Sequence, residues 1–472
     1  MSFTPHRAMM QEHLPLIVRV LFLFAIALLL RMSGWYYNTM TDSADYLHQD
    51  ASSYYSTAVN LANGHGYVLK QGQEPYFFRE PATIYFYAAS AVLYRLGTGR
   101  AVAEPSYDKN NWPQDPDNRR VIRLVRLSQA ILQAVALVLF YLLLRHYFKD
   151  GFSFIVATLV SIYPPLASFS EHLLRENLLF GVLMALAYVL SSHIQRPAYW
   201  KLAAIGILWG ISALTLQVYM LLGVLLIAFV CLRAGNVAQA IKRSAVIGAV
   251  FLLTVLPWLY NVYVFYPDVR VARSMGCALT TDWLKFNTSL GFARSHPQGL
   301  SQADVIPPDE LLATDVYALT TREYFEKAFG GYFAQAARRL DLKYGVPSAK
   351  DRATEYLGLL GWLFVLPGYQ YGDWSGTRSF AAHDHGNMVA LMYVSFVLSL
   401  FASIGLWICC RRALDMLPIY FFHVAFFWIL MSASRRALPI VPFFVLFGVI
   451  GLLKTVQVGF PQFRFAIYKE GR

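Results

Sequence analysis

Asp50, Tyr54, His65 and Arg79 lie in one polar, aromatic stretch, His48–Pro81, directly after the first hydrophobic segment. A carboxylate accepts protons, a guanidinium holds anions, and a phenol and an imidazole hydrogen-bond polar substrates. Asp50, Tyr54 and Ala58 recur at i, i+4 and i+8, so on a helix they share one face. Asn63-Gly-His-Gly-Tyr67 then ends that helix, as glycines permit. Arg79-Glu80-Pro81 closes the stretch, with Pro81 suited to the first turn of a following helix. The plain alternative is a wet loop. Against it, long loops in compact proteins are functional or disordered, and this one is too aromatic for disorder. Asp42 and Asp45 are neighbouring carboxylates that compete for any role given to Asp50.

Two further groups carry ionisable side chains at the mouths of apolar helices. Glu171, His172, Arg175 and Glu176 follow Pro164-Pro165. Such residues are functional candidates, although Glu176 in a first helical turn also suits the helix dipole. Arg435 and Arg436 stand together before Pro439. Arginine holds phosphate oxygens bidentately and stays charged when partly desolvated; snorkelling to lipid headgroups is the alternative. His383-Asp384-His385 invites a metal reading. Two histidines at i, i+2 point apart on a helix and complete no site, so a loop is the simpler expectation. Lys343 could face a ligand or only water. The four cysteines, Cys231, Cys277, Cys409 and Cys410, show no metal or disulfide pattern.

The elements that must position these groups are read from composition and hydropathy. Of 472 residues, 57% are hydrophobic, 14% charged and 16% aromatic. That composition fits a polytopic membrane protein with interfacial Tyr and Trp. The formal charge of +12 fits cationic cytoplasmic loops and excludes a nucleic-acid partner, because no basic stripe lies on a soluble domain. Spanning helices are expected at 14–34, 121–144, 152–168, 177–193, 201–215, 217–232, 245–264, 387–409, 416–434 and 438–455. The first is expected as an uncleaved helix, not a signal peptide. If 81–97 does not cross, the clusters Arg145/Lys149, Arg196/Lys201, Arg233/Lys242/Arg243 and Arg411/Arg412 all fall inside. Segments 81–97 and 352–369 are therefore expected in the outer interface, with ten spans and both termini cytoplasmic. Three parts follow: a membrane module, 1–265, with the first outer loop at 35–120; an outer helical cap, 266–386; and C-terminal membrane helices, 387–472.

At this point the chain resembles a family. The order Asp50…Tyr54…Ala58…Leu61…Gly64-x-Gly66-Tyr67…Arg79-x-Pro81 is similar to the first outer loop of the GT-C glycosyltransferases that use polyprenyl-phosphate sugars. These include bacterial relatives of protein O-mannosyltransferases and of the aminoarabinose transferase acting on lipid A. Pro165…Glu176, Pro257-Trp258…Asn261 and Arg436-Ala437-Leu438-Pro439 follow in the family's order. Tyr260 stands where the family has Arg, and Arg435 is shifted. The resemblance implies an all-α integral membrane fold, a GT-C-like bundle of about ten spans with interfacial helices and a periplasmic helical cap. It implies a polyprenyl-phosphate sugar donor, a lipid, glycan or protein acceptor, and a site facing the periplasm at a bacterial inner membrane. Asp50 would be general base; Arg79, Arg435 and Arg436 would stabilise the leaving phosphate; Tyr54 and His65 would bind substrate. Glu176 would position the acceptor or, with Asp50, hold a divalent cation, which the residues do not demand. A lipid-linked saccharide transporter is the competing class. It should show paired halves and ionisable residues deep in the spans.

Overall fold

A computed structural model describes residues 4–40, 49–73, 75, 79–105, 115–265, 401–402, 405, 441–459 and 467. Every regular element among them is a helix. In chain order they are α1 (Thr4–Met40), α2 (Gln49–Ala62), α3 (Pro81–Thr98), α4 (Pro116–Leu144), α5 (Asp150–Ser161) and α6 (Pro164–Phe169). Then come α7 (Arg175–Gln195), α8 (Tyr199–Thr215), a 3-10 turn (Gln217–Leu221), α9 (Leu222–Leu232), α10 (Val237–Phe265) and α11 (Val441–Gly459). The expected cap, 266–386, and the spans at 387–409 and 416–434 lie outside the described residues, apart from positions 401, 402 and 405.

Five of these helices contain a stretch long and apolar enough to cross a membrane: Leu14–Ser33, Pro116–Leu144, Arg175–Gln195, Val237–Val262 and Val441–Val458. They match five of the expected spans. The expected span at 152–168 is corrected. It divides into α5 and the short α6, because Pro164 and Pro165 bring no N–H to the preceding turn and hold Tyr163 out of the helical region. The 217–232 segment likewise opens as a 3-10 turn before α9.

The centre of the bundle is the α4/α7 pair. Phe140, Leu137, Phe180, Leu183 and Leu186 are fully buried there. Gly181 allows the close approach: a Cβ at that position would meet Leu132 Cδ1 at 2.7 Å. On the flank, Gly206 and Gly210 present a small face of α8 to α10, and Trp209 stacks on Phe251 with ring centroids 3.6 Å apart. Leu21, Phe22 and Leu29 of α1 and Leu252, Leu253 and Leu256 of α10 are exposed, as befits surfaces that meet hydrocarbon.

Side-chain bonds set the directions. Arg19 of α1 pairs with Asp150, just beyond the C-terminal end of α4, while Arg31 reaches Gln133 in the middle of α4. Helix α1 thus runs antiparallel to α4. It delivers the chain toward the end from which α4 departs, so α2 and α3 return on that same side without crossing. Within this insert the two helices run parallel. Arg79, two residues before α3, bonds Ser53 near the start of α2, and Arg95 near the end of α3 caps the last turn of α2 through the Ala62 carbonyl at 2.8 Å. The connection between them folds back over α2. Gly64 and Gly66 adopt φ of 85° and 88°, open only to glycine without strain. Asn60 Nδ2 bonds the Leu69 carbonyl at 3.0 Å, and the Tyr67 hydroxyl donates to the Arg79 carbonyl at 2.9 Å.

Candidate functional site

The site is built where α2, α3 and α7 begin. On α2, Tyr54 is buried, and the Arg79 guanidinium lies over its ring, Cζ to centroid 4.9 Å. Arg79 Nε donates to Ser53 Oγ at 2.9 Å. Position 50 is one helical turn before Ser53 and Tyr54, so it falls on the helix face that Arg79 covers.

Helix α7 supplies the acidic partner. Glu176, in its first turn, is only 1% exposed. Its placement comes from a polar stripe on α4. Arg126, Gln129 and Gln133, at helical spacing, each reach the chain at the start of α7. Arg126 Nε donates to the Glu171 carbonyl at 2.8 Å, and Gln129 Nε2 to the Ser170 and His172 carbonyls at 2.8 and 2.9 Å. Gln133 Nε2 donates to Asn177 Oδ1 at 2.6 Å. Arg31 holds Gln133 from the other side at 2.7 Å.

One ion pair joins the α3 and α7 starts. Arg175 Nη1 donates to both carboxylate oxygens of Glu80, at 2.6 and 2.7 Å, and both side chains are largely enclosed. Each partner is the chain neighbour of a candidate site residue, Arg79 on one side and Glu176 on the other. Tyr87 of α3 completes the cluster. Burial first, then the nearby Tyr54 and Glu176, pushes its phenol well above the ordinary value. Glu171, in the loop before α7, is raised to about 7 by burial, with Arg126 pulling the other way.

The structure therefore gathers Tyr54, Arg79, Glu176 and the helix turn that carries Asp50. It does not bring His65 there. That ring is exposed beyond the far end of α2, its Nδ1 3.3 Å from Asn60 Oδ1. At 1.5 Å per residue, the length of α2 separates it from the Asp50 turn by about 18 Å. Arg435 and Arg436, with Lys343 and His383–His385, lie outside the described residues. In the Pro257 run, Trp258 packs edge-on against Tyr67 at 4.9 Å, whereas Tyr260 is 65% exposed. No three His, Cys, Asp or Glu side chains cluster as metal ligands among the described residues.

Sequence reasoning passed over Glu80 as a partner of Arg175, the α4 stripe, Thr83 and Tyr87. A polar i, i+3, i+7 pattern inside the apolar α4 was the available signal for the stripe.

The helical bundle is similar in fold to solved structures of archaeal oligosaccharyltransferases. The archaeal oligosaccharyltransferase AglB from Archaeoglobus fulgidus, in complex with an inhibitory peptide and a dolichol-phosphate, matches with a TM-score of 0.52 at 12% identity. The match covers 95% of this chain and 51% of that one. The Archaeoglobus fulgidus oligosaccharyltransferase in its apo form matches at 0.50 with 14% identity, covering 93% of this chain and 51% of that one. The chain spans about half the length of these structures, and the likeness is one of fold. No protein-family profile matches the sequence, and no curated protein matches it.

Proposed function

We propose that the protein is a membrane glycosyltransferase. It moves a sugar from a polyprenyl-phosphate carrier to a lipid, glycan or protein acceptor at the periplasmic face of a bacterial inner membrane. The observation that carries this reading is the meeting of the α2, α3 and α7 starts, where Arg79 covers the Asp50 face of α2 while Glu176 is buried beside Tyr87. Each helix start also contributes roughly half a positive charge, which favours an anionic group nearby. A neighbour in fold was solved with a dolichol-phosphate, a lipid phosphate of the kind invoked here.

In the proposed reaction the acceptor hydroxyl attacks the anomeric carbon as Asp50 takes its proton. The bond from that carbon to the phosphate oxygen breaks, and the phosphate leaves with its lipid. A single displacement inverts the anomeric centre. Arg79 offsets the charge that develops on the departing phosphate, as a preorganised cation does best in a partly desolvated site. Arg435 and Arg436 are assigned a second contact to the same phosphate. Glu176 and Tyr54 orient the acceptor.

The test is transfer by the purified protein from radiolabelled undecaprenyl-phosphate sugars to membrane extracts. Wild type should form labelled product, and Asp50→Asn should lower the rate by about 10²–10⁴-fold while the protein stays folded. Full activity in Asp50→Asn removes Asp50 as base. Movement of the labelled lipid across vesicles without transfer would instead make the protein a translocator.

A further inference from the structure

Hydroxyl groups in this chain follow two habits. Serine and threonine on the helices bond back to the carbonyl four residues earlier: Thr57 to Ser53, Ser153 to Lys149, Thr158 to Phe154, Ser161 to Ala157, Ser212 to Leu208, Thr215 to Ile211. Enclosed tyrosines find an acceptor in the chain: Tyr55 on Asn118, Tyr67 on Arg79, Tyr94 on Asp117, Tyr141 on Asp150. Thr83 and Tyr87 break both habits. Thr83 is 0% and Tyr87 1% exposed, and neither hydroxyl has a hydrogen-bond partner among the described residues.

Thr83 sits in the first turn of α3, and the residue four back, Arg79, precedes the extended N-cap Glu80, so no helical carbonyl stands where its hydroxyl would bond back. Thr83 and Tyr87 stand at i and i+4, so both lie on one face of α3. That face adjoins the candidate site. Tyr87 packs in one buried cluster with Tyr54 of α2 and Leu173 ahead of α7, and its phenol is within electrostatic reach of Tyr54 and Glu176. A buried hydroxyl without a partner costs stability, so its retention asks for a ligand or a water.

We infer that the Thr83 and Tyr87 hydroxyls form a subsite for the hydroxyl groups of the transferred sugar. The ligand chemistry follows from the lining. Two neutral hydroxyls, an aromatic face and the Glu176 carboxylate suit a neutral polyol. The same carboxylate repels a phosphate, which belongs on the Arg79 side. The inference rests on the proposed function and adds which residues read the sugar.

The experiment uses the full-length protein in detergent with three probes: undecaprenyl-phosphate glucose, undecaprenyl-phosphate mannose and bare undecaprenyl phosphate. Affinities come from titration, and melting temperatures from thermal unfolding. The variants are Tyr87→Phe and Thr83→Val, each removing an unpartnered hydroxyl at nearly constant volume. The subsite predicts unchanged or raised melting temperature and weaker binding of at least one sugar lipid, by about five- to tenfold per hydroxyl. Binding of bare undecaprenyl phosphate stays within about twofold of wild type, a smaller effect than one hydrogen bond. Unaltered affinity for both sugar lipids overturns the inference and leaves the hydroxyls to buried water. Equal weakening for sugar-bearing and bare lipid, or a lowered melting temperature, makes the pair structural and also overturns it. Should wild type bind neither sugar lipid more tightly than the bare phosphate, the donor reading itself fails and the subsite goes with it.

Discussion

The two ends of the α4/α7 pair are both rich in enclosed polar groups, and they differ in what those groups adjoin. At the C-terminal end, Asp150 accepts the Tyr141 hydroxyl at 2.6 Å, and Arg145 and Arg19 form ion pairs with the same carboxylate. Ser191 is shared between the Tyr147 hydroxyl at 2.6 Å and His146 Nδ1 at 2.9 Å. Lys201 caps α7 through the Ser192 and Arg196 carbonyls, both at 2.9 Å. At the N-terminal end the backbone is held as firmly, by the α4 stripe and the Glu80–Arg175 pair, and the Thr83 and Tyr87 hydroxyls have no partner among the described residues, Tyr87 lying within electrostatic reach of Glu176. Both ends lock helices together, and both enclose polar atoms without a partner among the described residues: Thr83 Oγ1 and the Tyr87 hydroxyl at one, His193 Nε2 and Gln195 Nε2 at the other. The proposed sugar site adjoins the first end alone.

Four single substitutions and one double variant sharpen this comparison. Arg79→Ala should have the largest effect, a loss of transfer of about 10²-fold, since it removes a cation aimed at developing charge. A rate within a few-fold of wild type in a folded sample would put the phosphate elsewhere. Glu80→Gln breaks an enclosed ion pair and leaves Arg175 uncompensated. It should lower stability by about 2 kcal/mol and reduce transfer further than the folded fraction explains. The double variant Glu80→Gln/Arg175→Gln should recover part of the stability, which thermal unfolding would record.

Asp150→Asn at the opposite end should cost about 1 kcal/mol, discounted because the groups are about a third exposed. Transfer per folded molecule should not change, and a selective loss of turnover would erase the difference between the two ends. Glu171→Gln gives a pH signature. The fold raises the Glu171 carboxyl from 4.5 to about 7 and so favours its neutral form. Its contribution is intact below the unfolded value and is lost as pH rises from about 4.5 through about 7. Relative to wild type, Glu171→Gln should therefore keep more of its melting temperature over that interval. Parallel curves for the two proteins would mean that the carboxyl is not raised.

Much of the scaffold was legible because hydrocarbon imposes long apolar runs, which five of the described helices obey. The α2–α3 insert was legible from Gly64, Gly66 and Pro81, whose backbone demands are local. Glu176 was legible from its place at a helix start. The division of α5 from α6 was misread because an apolar run hides a break that two prolines enforce. The Glu80–Arg175 pair spans ninety-five positions, and no local pattern announces it. Thr83 was illegible for a subtler reason. Its hydroxyl lies in the first turn of α3, after an extended N-cap, where no helical carbonyl stands four residues back, and whether another partner reaches it depends on the tertiary packing. His65 drew notice by type alone, yet the length of α2 holds it away from the cluster.

The most direct measurement is photo-crosslinking with an undecaprenyl-phosphate sugar that carries a diazirine on the sugar, followed by peptide mapping of the labelled sites. Labelling should fall on the first turns of α2, on the stretch from Arg79 to Tyr87 and on the start of α7, and excess unlabelled donor should suppress it. Labelling centred on the Asp150 end, or spread along the lipid-facing sides of α1 and α10 and indifferent to competitor, would contradict a sugar site at the meeting of the three helix starts.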